Sequence, residues 1–485
     1  MKKNKTFFLT ALSLAISSFC AASLPESGSV SSTTAEYDGS SLVLKGHVLL
    51  DHGLGKMSAE AASLEKQQGG KDFPFSVIHL NDEVLLSLKN AAELRCDKAD
   101  LDFALLKGIL HAKESVSYSD KWRDTPFQIK SSLIELEFTK KGHDGKKTDF
   151  EIDTITAKEN VLIEYDTNFH LHADHALYKQ SYTEKARNAE ITAYPKEPQG
   201  FCRLTHDDDL VDATLVTLNL AQAAMVMEHP IGTLASTLLP HAQKGSLRFQ
   251  ADRLIWDHVR NTLLFKGKIH MEESALGVLN TEGELSIVQS KDKSKGPIKA
   301  LHTKGKTSLD YRDLSTGSAH KLLSFGSLAI DREHLNGIVL SPEVNGEVAT
   351  DKQIYYEENE IALYCDKAAL EYSIVENTLQ PVSIALKGNV RLFSHNDQKP
   401  ARCALADRVS YSPATRTFIL AANPSKKVLF WDQGQAMRIA ASEIHITEDP
   451  VTKKELVKGV GNVQFSFTSE DNARLKHFFP FYQQP

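Results

Sequence analysis

Nothing in this sequence offers a nucleic acid the basic surplus that phosphate neutralisation needs. Its 56 Lys and Arg stand against 63 Asp and Glu, for a net charge of -7, which argues against a nucleic-acid partner. Past the first residues no window supplies about 20 uninterrupted apolar positions, so helical membrane spans are not expected. Cysteine is scarce, five in 485 residues and none in a CxxC pair. After a leader is removed, Cys96, Cys202, Cys365 and Cys403 remain; they permit two disulfides but not a dense scaffold. There is no phosphate-binding glycine loop, no G-x-S-x-G elbow and no cysteine placed with a histidine and an acid, so the common catalytic signatures are missing. Helix signals are few.

What is present begins with Lys2, Lys3 and Lys5, an apolar stretch from Phe7 to about Phe19, and the small residues Ala21, Ala22 and Ser23. This is the pattern of a secretory signal peptide, expected over residues 1–22. Cys20 offers a lipid-attachment alternative, but the bulky Phe19 before it favours ordinary cleavage. The remaining chain, from a sequence 41% hydrophobic and 25% charged, has enough apolar material for buried cores. Its length suggests about two to four domains.

An internal repeat organises the chain. Residues 94–103 read LRCDKADLDF and residues 363–372 read LYCDKAALEY. Looser copies run from Ala173 to Tyr178, Ala251 to Trp256 and Ala406 to Tyr411, with a degraded one at Ala59, Glu60 and Leu64. A second element recurs as LVLKGHVLL at 42–50, LLFKGKIH at 263–270, IALKGNVRLF at 384–393 and KGVGNVQF at 458–465. Leu42, Leu44, Val48 and Leu50 share one parity while Lys45, His47 and Asp51 share the other, the period of a half-buried strand. A glycine inside a strand costs stability, so its recurrence at Gly46, Gly267, Gly388 and Gly461 predicts a bend. In the first element Leu94 and Cys96 have even parity and Ala99, Leu101 and Phe103 odd, which predicts an extra residue at Asp97-Lys98 as in a β-bulge. The same shift separates Cys365 from Ala368, and both cysteines read as small core residues. Asp97, Asp252, Asp366 and Asp407 recur at that bend; a catalytic acid is needed once, so recurrence points to bend chemistry.

These units resemble the OstA-like (LptA-type) family of lipopolysaccharide-transport proteins, which includes the soluble periplasmic bridge, its membrane-anchored relative and the N-terminal domain of the outer-membrane translocon. The matching residues are Lys387, Gly388, Asn389 and Val390 with Ala406, Asp407, Val409 and Tyr411. Earlier sets are Lys45, Gly46 and Val48 with Ala59 and Glu60, and Lys266, Gly267 and Ile269 with Ala251, Asp252 and Trp256. The resemblance implies an all-β fold of tandem, twisted, open β-jellyrolls whose apolar interior holds acyl chains without covalent chemistry or a cofactor. The expected partners are lipopolysaccharide or lipooligosaccharide, and other jellyrolls of the family joined through edge strands. The expected location is the periplasm, with outer-membrane association as a further expectation. The first jellyroll is expected over 23–200 and the second array over 246–485, with a further division near 345. Residues 201–245, where no repeat copy lies, are expected to connect them. Parity nominates Leu42, Leu44, Val48, Leu50, Leu263, Phe265, Ile269, Ile384, Leu386, Val390 and Leu392 as lipid-lining. The competing reading is an envelope adaptor with closed cores that works through its edges. The aromatic end, Phe478, Phe479, Phe481 and Tyr482, carries no barrel signature.

One motif argues for an enzyme. Residues 170–175 read HLHADH, in which His170, His172 and His175 have zinc-ligand spacing, Asp174 a second-metal position, and His206, His229 and His241 lie downstream. The same stretch is a copy of the strand repeat, which already accounts for Ala173, Asp174, Ala176 and Tyr178. The histidines are therefore expected on a solvated strand face, with a zinc hydrolase as the lesser alternative.

Overall fold

Period-two patterning governs the chain, and the chain folds accordingly as antiparallel strands. The computed structural model describes residues 29–482 apart from 67–74, 123, 144–145, 184–185, 236–245, 274–276, 291–297, 313–316, 376–377, 397–398, 450 and 453. The expected leader segment with Cys20, and His241, lie outside the described residues. Contacts divide the chain into two compact units, residues 1–227 and 228–485. The protein is all-β, with one α-helix among the described residues, Ser469–Phe478.

In the first unit, long strands run up and down from Ser41–His52 through Gly55–Glu65, Val77–Leu88, Glu93–Asp102, Lys107–Trp122, Thr125–His143 and Lys146–Tyr165 to Phe169–Thr183, each pairing with the next. Register slips partway along each pairing, for example between Lys45 and Val48, Arg95 and Lys98, and Ala173 and His175. Bulges at matched positions bend every strand and shift its inward parity. Each strand thus contributes to two arms that face each other over a common interior. Beyond Phe169–Thr183 separate short strands continue the arms, Cys202–His206 on one half and Ala186–Tyr194 on the other.

The bends have a shared chemistry. Gly46, Gly267, Gly388 and Gly461 all adopt left-handed φ, from +71° to +86°, which a side chain disfavours. At Gly267 and Gly388 a Cβ would also strike the carboxylates of Asp252 and Asp366, at 2.1 and 2.2 Å. The recurring aspartates tie down the corner. Asp97, Asp252 and Asp407 accept from the backbone N–H groups of Lys113, Lys268 and Asn423, at 2.6, 2.8 and 2.7 Å. Asp366 accepts from the Asn389 side chain at 2.9 Å. A bend exposes backbone donors that the ladder no longer satisfies, and a carboxylate supplies the acceptor.

Inward side chains line up strand to strand. In the first unit one arm carries the ladder Leu50, Met57, Leu86, Leu94, Tyr118, Ile129, Ile163, Leu171, Leu204, Val211. The other arm carries Leu44, Ala62, Leu80, Ala99, Leu110, Ile134, Ala157, Ala176, Ala193, Val216. Every one of these is exposed by 4% or less.

The second unit repeats the plan with Thr262–Glu273, Gly277–Gln289, Ile298–Arg312, Thr378–Asn396 and Lys399–Ser412 as the long strands. Between and after them, pairs of short strands build the arms separately, such as Ile361–Cys365 and Lys367–Val375, which both pair with Thr378–Asn396.

Three regions gain detail, and the boundary between the compact units falls within 201–245. The described part of the 201–245 connecting segment is strand, including Asp209–Ala213, Leu215–Asn219 and Ile231–Leu234; alternation within ATLVTLNL already satisfied the strand period. The four described cysteines are free and buried, and burial pushes each thiol up to about 12, so they serve as packing. A helix, Ser469–Phe478, precedes the aromatic residues Phe479, Phe481 and Tyr482. Thr468 caps it by accepting from the Asp471 N–H while the Asp471 carboxylate accepts from the Thr468 N–H, a capping box. Leu475, Phe479 and Tyr482 then pack on Cys403, Leu405, Leu429 and Trp431, on the outward side of the last strands.

A candidate apolar cleft in the second unit

In the first unit the row one step outward of Leu44 runs from half-buried Leu42 through Leu64, Ile78, Leu101, Gly108, Leu136, Ile155, Tyr178 and Ile191 to Leu218, and it is sealed beyond its first member. The matching row of the second unit, counted from the glycine of each repeat, opens. One arm carries Leu263, Ile287, Leu301, Ile330, Gly337, Leu370, Ile384, Tyr411, Phe418, Ile446 and Val457 in unbroken register. Its first three members are buried, but from Ile330 onward the row is partly exposed, with Leu370 at 37% and Phe418 at 39%. The other arm carries Met271, Leu279, Leu309, Leu322, Tyr356, Leu363, Leu392, Ala404, Phe430 and Ile439. Here the stretch from Leu309 to Leu392 is half-buried, while both ends are sealed. Rows from both arms flank one buried cluster that includes Ile354, Cys365, Leu386 and Val390. The result is an apolar cleft floored by that cluster. At about 4.8 Å per strand, the open row from Ile330 to Val457 extends for roughly 30 Å.

Charged residues fasten the arms at the rim. In the first unit Asp120, on the Tyr118 arm, is paired with Arg187 on the opposite arm. Tyr118 donates to Asp120 at 2.9 Å, Arg187 donates to the Tyr178 hydroxyl at 3.2 Å and lies 5.0 Å from the Trp122 ring centre. Tyr118 and Tyr178 meet across the interior with ring centres 5.5 Å apart. In the second unit Glu273 is buried on one arm and acts electrostatically on Arg332 of the other, whose pKa is lowered chiefly by burial. At the far end Arg402 donates from Nε to Asp432 at 2.8 Å and from Nη1 to Glu455 on the opposite arm at 2.6 Å. The open rows lie between these two contacts. Beside them, at the outer end of the Leu309 arm, a cavity of about 430 Å³ is lined by Tyr311, Arg312, His320, Lys321, Glu357 and Asn359. His320 binds the Tyr356 hydroxyl through Nδ1 at 2.8 Å, and burial together with Glu358 holds the Tyr356 pKa above its ordinary value.

The residues nominated by parity all fall on inward faces. Leu44, Val48, Leu50, Leu263, Phe265, Ile269, Leu386 and Val390 are buried at 6% or less; Leu42, Ile384 and Leu392 are half-buried. Only Ile384 and Leu392 belong to the open rows. Leu370 and Leu363 lie in the repeat but are not among the nominated lining residues, and Phe418, Leu322 and the rim pairs escaped the sequence reading, because register across short strands is not written in any local motif. The histidines of HLHADH point outward. His172 is exposed, His170 sits 3.6 Å from Glu164, and His175 stacks on Tyr194 with ring centres 4.7 Å apart. Among the described residues no group of three or more His, Cys, Asp or Glu is arranged to hold a metal ion. No helix among them is long and apolar enough to cross a membrane.

Comparison with known proteins supplies no relative: no protein family and no curated protein matches this chain.

Proposed function

We propose that the protein is a periplasmic carrier of an amphiphile of the lipopolysaccharide class, holding acyl chains between the arms of its second unit without covalent chemistry. The observation that carries this reading is the pair of half-exposed apolar rows facing one interior. Leaving large aliphatic and aromatic side chains wet along such a length costs free energy that a bound hydrocarbon chain would recover. The polar cavity at Tyr311 and His320, at the outer end of the Leu309 arm, supports this reading, since acyl chains in the cleft and polar groups at its rim would satisfy both halves of an amphiphile.

A second reading is favoured by the first unit, whose sealed ladders resemble an ordinary core. On that reading the chain is an envelope adaptor that joins other β proteins through its edges. Photo-crosslinking separates the two. A photoreactive residue at Ile384 should give adducts with labelled lipopolysaccharide, and one at the outward Lys387 should not. Absence of adducts at Ile384, with protein crosslinks at the edge strand Thr34–Tyr37, would replace the carrier with the adaptor.

A further inference from the structure

The contact at Arg402 differs from an ordinary surface ion pair, because its two carboxylates belong to opposite arms. Arg402 and Asp432 sit on neighbouring strands of one arm, in register with each other. Asp432 is buried and holds the guanidinium by Nε, which fixes the arginine to that arm. Glu455 begins the strand Glu455–Val460, which pairs with Glu443–Glu448 on the other arm. The Arg402–Glu455 bond, between two partly exposed groups, is the one that crosses. It stands at the end of the open rows, just past Leu392 on one arm and beside Val457 on the other.

We propose that Arg402 is a latch on the cleft: anchored by Asp432, its bond to Glu455 sets how far the arms part, and releasing that bond widens the mouth. The chemistry of the pair suits this use. A partly exposed ion pair exchanges readily with water and salt, whereas the anchor to a buried carboxylate persists. The latch therefore opens at Glu455 and keeps its arginine in place to close again. The first unit shows the contrasting case: Asp120 and Arg187 are enclosed by Tyr118, Trp122 and Tyr178, which leaves no half that releases alone. Only the statement of what passes the mouth rests on the carrier reading; the movement itself does not.

The test uses paired nitroxide labels at Ile361→Cys and Val382→Cys, exposed positions on opposite arms, with Cys20→Ser. The buried native thiols, pushed up to about 12, stay unlabelled. Glu455→Gln should lengthen and broaden the label distance by several ångström, and Glu455→Arg should do so further. Glu448→Gln, which breaks the ion pair of Arg416 within one arm, should leave the distance unchanged. Unchanged distances in both Glu455 variants would overturn the latch, whatever the protein binds. Lengthened distances with a several-fold rise in lipopolysaccharide adducts at Ile384 would support latch and carrier together. Lengthened distances with no adduct at Ile384 in any variant would keep the latch and remove the carrier reading.

Discussion

The interior of the first unit and the middle of the second are built from the same strand pattern, yet one is a filled core and the other a cleft. In the first unit Leu50, Met57, Leu86, Leu94 and Tyr118 on one arm and Leu64, Ile78, Leu101, Leu136 and Ile155 on the other line the interior. All are sealed, and Tyr118 meets Tyr178 of the opposite arm across the interior. In the second unit the matching row, Leu370, Ile384, Tyr411 and Phe418, is as large in its side chains, yet their outer surfaces stay open to solvent. The rim agrees with the interior: at the first unit Arg187, itself part-buried, pairs with the buried Asp120, whereas in the Arg402–Glu455 bond at the second both groups are partly exposed. Whether an inward apolar face becomes core or binding surface thus depends on how the opposite arm is filled and fastened.

That contrast can be broken most strongly at the first rim. Arg187→Met strands the buried Asp120 carboxylate, so it should cost about 3–5 kcal/mol in denaturant unfolding. The matched change Glu455→Gln should stay within about 1 kcal/mol. Truncating the ladders should rank the same way. Leu94→Ala opens a cavity in a sealed core and should cost about 3 kcal/mol, while Leu370→Ala, already part-exposed, should cost under about 1 kcal/mol.

Acid should separate the units next. His52 is buried against Phe103 and Phe150, and burial holds its pKa near 4, below its ordinary 6.5. The folded state therefore binds its proton later than the unfolded chain. This contribution to stability is intact above 6.5 and is lost as pH falls towards 4. The full loss is about 3 kcal/mol, at about 1.36 kcal/mol per unit. Urea unfolding at neutral pH and near pH 4 should show this dependence, and His52→Phe should flatten it. The smallest effect is expected at the C-terminal helix: Thr468→Ala removes the capping hydroxyl and should cost about 1 kcal/mol.

Much of the fold was legible locally. The parity shift around Asp97 predicted the bulge, and the repeated glycines marked corners whose left-handed φ only glycine adopts freely. The inward assignment of Leu44, Val48, Leu386 and Val390 followed from alternation alone. What stayed hidden is set by partners distant in sequence. Ile384 and Leu42 look alike in their motifs, but Ile384 borders Leu370 and Tyr411 in an open row, while Leu42 borders Leu64 in a sealed one. Arg402 meets Glu455 only once both arms exist. The helix was legible in principle, since Thr468 and Asp471 have the spacing of a capping box, but strand periodicity elsewhere drew the reading away from it.

The most direct test of the central claim is hydrogen exchange of the intact chain with and without lipopolysaccharide. Bound acyl chains should slow exchange in the strands that carry the open rows, Asn336–Leu340, Ile361–Cys365, Lys367–Val375 and Thr417–Ala421. The strands of the first unit, from Ser41–His52 to Phe169–Thr183, should be unchanged. Protection spread equally over both units, or confined to the first, would contradict the assignment of the cleft as the lipid site.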